Sequence, residues 1–232
     1  MMAEEFARLI REAADVKTSG RWAALDQKII QLADDQNGHE PWQVQVIAAL
    51  CFQNFSEYNA LKKAYEETGS DESLIAWRAR NLLEISVWCI YCAKTKENVR
   101  IFYKDAGRDV LDTLKAYTEW GRATSQDSDW LDPLEKAKLD ISERASAEGI
   151  ESLKGAYTKI KKVAQECGLE PHFSLGYKHL SKFAHPTAML IMAQPNQEKE
   201  RQLKDMFYSQ GCMFFVGAFN ALEERLSMMV NQ

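Results

Sequence analysis

Proline and glycine are scarce in this chain: its 232 residues contain five prolines and eleven glycines. Because these two residues interrupt helices most strongly, their scarcity excludes a collagen-like or loop-dominated chain and permits long helices. No stretch alternates apolar and polar residues over the length that a strand requires, and "AMLIM" is too short to count. The sequence therefore predicts an all-α protein, a single-domain bundle of about seven to nine helices.

Paired cysteines and metal-binding motifs are also lacking. The five cysteines are odd in number and show no disulfide framework, which fits a reducing cytoplasm. Cys89 and Cys92 have redox spacing, but they lie in an apolar helical pattern, so we interpret them as buried core thiols. The sequence has no Glu-x-x-His or His-Glu-x-x-His motif and no glycine-rich phosphate loop. We therefore expect neither a metal nor a cofactor.

Long hydrophobic runs and an excess of basic residues are absent too. The apolar run "CMFFVGAF" is far shorter than a membrane span, and the start "MMAEEFARLI" is acidic where a signal peptide is basic. A net charge of −5 argues against a broad nucleic-acid surface. We expect a soluble, cytoplasmic protein. The Met/Phe-rich segment "MFYSQGCMFFVGAF" is typical of a core or a dimer interface, so a homodimer through this C-terminal helix is one hypothesis for its partners.

Apolar residues recur at helical spacing along most of the chain. The pattern predicts an N-terminal helical pair in residues 1–40 that packs on a main bundle in residues 41–232. Within the bundle it predicts helices at about 42–67, 71–93, 96–122, 132–167 and 196–229. The helix over 71–93 contains "LLEISVWCIYC", which is apolar almost all round and therefore typical of a helix buried in the middle of a bundle.

The stretch "YKHLSKFAHP" (177–186) carries Tyr177, Ser181 and His185 at intervals of four residues. On a helix these side chains fall within about 80° of one another, at the border between an apolar sector and a sector with lysines. Pro186 predicts that the helix ends at or just before His185. One interpretation is a capping histidine, with the two hydroxyl groups bonded to backbone carbonyls. The other interpretation is a functional site.

A charged pair, Arg80 and Glu84, stands in the predicted buried helix. Because an uncompensated buried charge is costly, the pair is either a structural salt bridge or part of a polar pocket at the centre of the bundle. Arginine before glutamate is the poorer order at this spacing, which favours further partners. We expect both side chains to be largely buried and within hydrogen-bonding reach of the helix that carries His185.

Together, "ARNLLE" (79–84), "AQECGL" (164–169) and "YKHLSKFAHP" resemble a family of uncharacterised bacterial helical proteins. The family's pattern is A-R-x-x-x-E followed far downstream by Y-x-x-x-S-x-x-x-H, and the resemblance covers about residues 45–230. It supplies no activity. It implies that five residues form one unit, called the Arg80 cluster below: Arg80, Glu84, Tyr177, Ser181 and His185.

The family is also loosely similar to the HEPN helical domains, many of which are ribonucleases. Their signature is an arginine with a histidine four to six residues further on, and none of the four histidines of this chain has an arginine at that distance. Two hypotheses follow. The chain is a binding or regulatory protein, for example in stress response or phage defence, whose Arg80 cluster clamps a ligand or locks two helices together. Alternatively it is an HEPN-like hydrolase of RNA, with His185 as acid/base and Glu84 orienting Ser181.

Overall fold

The computed structural model describes residues 2–34, 39–67, 69, 71–150, 152–185, 187, 191–192 and 196–231. Within these residues there are nine helices and no strand, which confirms the all-α prediction. The helices are α1 (Met2–Thr18), α2 (Arg21–Asp34), α3 (Pro41–Glu66), α4 (Glu72–Lys94), α5 (Lys96–Ala123), α6 (Ser128–Ala147), α7 (Ile160–Glu166), α8 (Glu170–Ala184) and α9 (Gln197–Val230).

Helix packing divides the chain into two compact units, one formed by residues 1–96 with 159–232 and one by residues 97–158. The larger unit contains α1 to α4 and α7 to α9, and α1 and α2 both pack on α9. The smaller unit contains α5, α6 and the segment that follows α6. The predicted division of the chain near residue 40 stays a prediction.

Helix α4 is the central helix of the larger unit, as its apolar sequence predicts. It packs against α3, α7, α8 and α9. Its buried residues lie on several sides of the helix, and they include Ile75, Ala79, Leu82, Val87, Cys89 and Cys92. The carboxylate of Asp71 caps its first turn by accepting a hydrogen bond from the amide of Leu74 at 2.8 Å.

The aromatic residues of α9 form much of the core of the larger unit. Phe215 is fully buried, and its ring stacks on that of Tyr58 in α3 with 4.1 Å between centroids. Phe207 and Phe219 are also buried, whereas Met213 is 41% exposed. The Met/Phe-rich segment therefore belongs mainly to the core, and the homodimer through this helix stays a prediction. No helix in the described ranges is long and apolar enough to cross a membrane.

The start of α6 differs from the prediction, which placed it at about residue 132. The helix begins at Ser128, and the N-cap is Asp127, whose carboxylate accepts a hydrogen bond from the amide of Trp130 at 3.2 Å. Pro133 consequently lies inside the helix rather than in its first turn. Two aspartates five residues apart both offer a capping carboxylate, and the earlier one is used.

The prediction of one helix from residue 132 to Cys167 is wrong. Helix α6 ends at Ala147, and α7 begins only at Ile160. The segment between them contains Gly149 with φ +73° and Gly155 with φ +115°, a left-handed conformation that glycine adopts readily and that cannot continue a right-handed helix. Gly168, with φ +74°, follows the C-cap of α7, Cys167.

Arg108 on α5 fixes the irregular segment of the smaller unit. Its guanidinium donates to Asp105 Oδ1 at 2.7 Å and to three backbone carbonyls, those of Leu153 (3.0 Å), Lys154 (2.8 Å) and Ala156 (2.8 Å). The other carboxylate oxygen of Asp105 accepts from the amide of Thr158 at 3.0 Å. Both charged side chains are about nine-tenths buried. We call Arg108 and Asp105 the Arg108 clamp.

Candidate functional site

Helix α8 lies against α4 with Phe173 and Leu180 on its buried face. Gly176 permits this close packing, because a Cβ atom there would lie 3.3 Å from Leu83 Cδ2 on α4. The neighbouring face of α8 carries Tyr177. His185 is the C-cap of the helix, and its backbone is extended. The helix therefore ends as predicted, and its polar face adjoins α4.

Arg80 is the centre of the cluster. Its guanidinium donates from NH2 to the hydroxyl oxygen of Tyr177 at 2.7 Å and from NH1 to Nε2 of His185 at 2.6 Å. NH2 also lies 3.2 Å from Oε1 of Glu84. The guanidinium carbon is 4.6 Å from the centroid of the Tyr177 ring, a cation–π distance. The structure thus joins four of the five predicted residues through one arginine.

Ser181, the fifth residue, is near this network but is not bonded to it. Its hydroxyl oxygen is buried, and it has no hydrogen-bond partner among the described residues. The same holds for Nε of Arg80. The interpretation in which both hydroxyl groups bond to backbone carbonyls is therefore wrong: Tyr177 bonds to Arg80 and Ser181 to no described group.

Burial differs strongly within the cluster. The side chain of Arg80 is 17% exposed, in agreement with the prediction, but that of Glu84 is 36% exposed. His185 is exposed. The prediction that Glu84 is largely buried is wrong, because this carboxylate keeps contact with water at the border of the helix pair while Arg80 is covered by Tyr177. The cluster is thus accessible from the side of Glu84 and His185.

The contact between Arg80 and His185 determines where the imidazole carries its proton. Arginine has only donor groups, so Nε2 of His185 must be the acceptor, and in this arrangement the ring is neutral with its hydrogen on Nδ1. Tyr177 likewise accepts from Arg80, and its own O–H remains to donate. Among the described residues, none accepts a hydrogen bond from either group. The cluster therefore has an excess of donors.

The sequence did not point to a second polar set, which lies beside the first on α4. Arg78 NH1 lies 3.2 Å from each carboxylate oxygen of Glu57 on α3, and the amide of Asn81 donates to Glu57 Oε1 at 3.2 Å. Glu57 is 6% exposed. The available signal was a carboxylate among the core-facing residues of α3. Because the carboxylate of Glu57 is paired with Arg78 and Asn81, we interpret this set as a structural link between α3 and α4.

Metal ligands are not grouped in the described part of the chain, where no three His, Cys, Asp or Glu residues could hold an ion together. Cys89 and Cys92 are fully buried on α4, as predicted for core thiols. Burial raises the pKa of both thiols above the ordinary value, chiefly because a thiolate would lose its hydration, and in each case a neighbouring cysteine adds to the effect.

We expect Cys89 and Cys92 to resist alkylation by iodoacetamide in the folded protein at pH 8. A raised pKa keeps a thiol protonated up to a higher pH, and only the thiolate reacts. Cys167 is half-buried, and its pKa is also raised by burial, although Lys94 opposes that rise. Mass spectrometry of tryptic peptides should therefore show Cys167 modified first, with all five cysteines modified in urea. Earlier modification of Cys89 than of Cys167 in native protein would contradict the core assignment.

Comparison with protein families identifies the family of the chain. A family model described as "Family of unknown function (DUF5677)" matches residues 47–201, well over half of the chain. The matched segment includes all five residues of the Arg80 cluster. No curated protein and no solved structure matches the chain.

Proposed function

The chain belongs to DUF5677, a family of unknown function, and from the geometry of the Arg80 cluster we propose that it binds a small ligand that carries an oxyanion. The family membership confirms the resemblance to an uncharacterised family. A bacterial origin and a relation to HEPN domains stay predictions. Binding rather than turnover fits the hypothesis of a regulatory protein, and a role in stress response or phage defence stays a prediction as well.

The position of Arg80 between two acceptors carries the proposal. Since Arg80 donates to both the Tyr177 hydroxyl and His185 Nε2, each partner turns its lone pair towards the arginine. Their hydrogens, with the buried hydroxyl of Ser181, remain for another group. A site with several donors and one cation selects a ligand rich in acceptors, such as a phosphate or carboxylate group.

Glu84 is the competing anion at this site. Its carboxylate is one third exposed, and it meets Arg80 at 3.2 Å in an i, i+4 pair. Such partly exposed helix pairs contribute only about 0.3–0.5 kcal/mol. An oxyanion that accepts hydrogen bonds from two or three of the donors can therefore displace Glu84 from the guanidinium without disturbing Tyr177.

Inorganic phosphate is expected to bind the parent protein, and Arg80→Gln should weaken that binding about 10- to 100-fold, the usual effect of losing a charge-assisted hydrogen bond. Glu84→Gln should strengthen it at least about twofold, because the competing carboxylate is removed. Calorimetric titration at pH 7 and constant ionic strength measures both effects.

The matched control is Glu66→Gln, which neutralises a carboxylate in an i, i+4 pair on the exposed surface of the larger unit, with Lys62 at 3.7 Å. It should leave the phosphate affinity unchanged. Equal effects of Glu84→Gln and Glu66→Gln would show that only general surface charge matters. Failure of phosphate to bind both the parent and Glu84→Gln would refute the proposal.

Ser181→Ala and His185→Ala separate a ligand site from a structural lock, that is, from a polar network that holds α4 and α8 together. Because Ser181 has no described partner, we expect its replacement to leave the melting temperature unchanged or raise it by a few degrees. His185→Ala should cost at most about 1 kcal/mol, since Arg80 keeps two partners. A lock predicts instead that both variants melt several degrees lower in thermal denaturation followed by circular dichroism.

Hydrolysis of a phosphodiester, as in RNA, is the second candidate function. The contact between Arg80 and His185 favours it, because the arginine and histidine typical of HEPN ribonucleases meet here from separate helices. As a base His185 needs a free Nε2, however, and as an acid it needs a second proton, and both require the contact to open. An RNA cleavage assay with the parent and His185→Ala tests this candidate: activity in the parent that is lost in the variant would favour hydrolysis over binding.

A further inference from the structure

An apolar cleft of about 240 Å³ lies between α4, α8 and α9 in the larger unit. Its walls include Leu83 and Val87 of α4, Phe173 of α8, and Met213, Phe214 and Gly217 of α9. Ser86 also lines it, but the Ser86 hydroxyl already donates to the carbonyl of Leu83 at 2.8 Å. Among the described residues that line the cleft, His172 is the one ionisable side chain, and it is exposed; the other walls suit an apolar group.

The cleft and the Arg80 cluster share two helices. Leu83 directly precedes Glu84 on α4 and follows Arg80 by three residues, one helical turn. On α8 the ring of Phe173 lies 5.3 Å from the ring of Tyr177, and that ring in turn contacts the guanidinium of Arg80. Leu83 and Phe173, both buried, thus form walls of the cleft and adjoin residues of the cluster on α4 and α8.

We propose that the ligand is amphipathic, with an oxyanion at Arg80 and one apolar group, the size of a phenyl ring, in the cleft. This inference rests on the proposed oxyanion binding. An apolar cavity of about 150 Å³ accommodates benzene, so a cleft of about 240 Å³ has room for a ring with its connecting atoms. Met213 borders the cleft and is 41% exposed, and its flexible side chain can adapt to the group that enters.

Gly217 offers a way to fill the cleft without harming the fold. A Cβ atom at Gly217 would meet nothing within 4 Å, and the residue lies inside α9 without a left-handed φ. Gly217→Leu therefore places a side chain in open space that borders the cleft, and replacing a helical glycine costs no helix propensity. The matched control is Gly217→Ala, which makes the same backbone change but occupies little of the cleft.

The test compares calorimetric titrations with inorganic phosphate and with phenyl phosphate at pH 8, where both are dianions, and at constant ionic strength. Phenyl phosphate should bind the parent about tenfold or more tightly than phosphate, because its ring leaves water for the cleft. Gly217→Leu should abolish this advantage and leave the phosphate affinity unchanged, whereas Gly217→Ala should retain it. Arg80→Gln should weaken the binding of both probes.

Each other outcome overturns the inference in a distinguishable way. If phosphate binds in an Arg80-dependent manner but phenyl phosphate binds no more tightly, the oxyanion proposal stands and the amphipathic ligand is refuted. An advantage of phenyl phosphate that persists in Gly217→Leu refutes the cleft as the position of the ring. If phenyl phosphate binds equally well to Arg80→Gln, cleft and cluster are separate sites. If neither probe binds, both proposals fail.

Discussion

Arg108→Met is expected to lower the free energy of unfolding of the smaller unit by about 3–5 kcal/mol, because it strands the buried carboxylate of Asp105. The side chains of the Arg108 clamp are 9% and 11% exposed, so water cannot replace the missing guanidinium. Three backbone carbonyls of the segment after α6 lose their donor at the same time. Hydrogen exchange of the backbone amides of α5 and α6, followed by mass spectrometry, measures the loss of stability within this unit.

The matched control for that variant is Arg122→Met in the same unit. Arg122 pairs with Glu135 at 2.9 Å, but the two side chains are 64% and 43% exposed, so we expect a change within about 0.5 kcal/mol. The double variant Arg108→Met/Asp105→Leu should recover part of the lost stability, since no charge is left buried without a partner. If the backbone amides of α5 and α6 are equally protected from hydrogen exchange in Arg108→Met and Arg122→Met, the Arg108 clamp does not stabilise the unit.

Phe215→Ala should destabilise the larger unit by about 3–5 kcal/mol, the usual cost of removing a fully buried phenylalanine ring. Phe215 has no exposed surface, and its ring stacks on Tyr58 at 4.1 Å and lies 6.0 Å from Phe219. Its removal leaves a cavity between α3 and α9 that these rigid rings cannot fill. Urea denaturation followed by tryptophan fluorescence measures the change.

Phe52→Ala is the comparison for the core variant. Phe52 lies on α3, is 47% exposed and contacts Trp22 in an edge-to-face arrangement at 5.5 Å. Because half of its surface already meets water, its removal should cost about 1 kcal/mol or less. A loss for Phe215→Ala no larger than that for Phe52→Ala would mean that α9 is not packed against α3 as described.

Much of the fold could be predicted because helical periodicity is a local property of the sequence. The apolar residues on all sides of α4 identified it as the central helix, and Pro186 predicted the end of α8 at His185. The failure between 147 and 160 has a local cause as well. Gly149 and Gly155 were visible, but an isolated glycine is tolerated within helices, and only the backbone conformation shows that these two end one.

The Arg80 cluster could be predicted in membership but not in bonding. The resemblance to the family implied that Arg80, Tyr177 and His185 belong together, and the structure joins them. The sequence could not show that the Ser181 hydroxyl has no hydrogen-bond partner among the described residues, or that Glu84 is one third exposed. Both properties depend on how α8 packs against α4. The Arg108 clamp had no signature in the sequence, because Arg108 donates mostly to backbone carbonyls, which every residue possesses.

The division of the larger unit into two stretches of sequence has a consequence during synthesis on the ribosome. Helix α4 packs against α9, yet α9 begins about a hundred residues later, so about 5–20 s of translation separate the two helices. During that interval residues 97–158, the smaller unit, are synthesised, and the apolar surface of α4 lacks its principal cover. The nascent chain therefore exposes hydrophobic surface until α9 is synthesised, the condition under which chaperones engage.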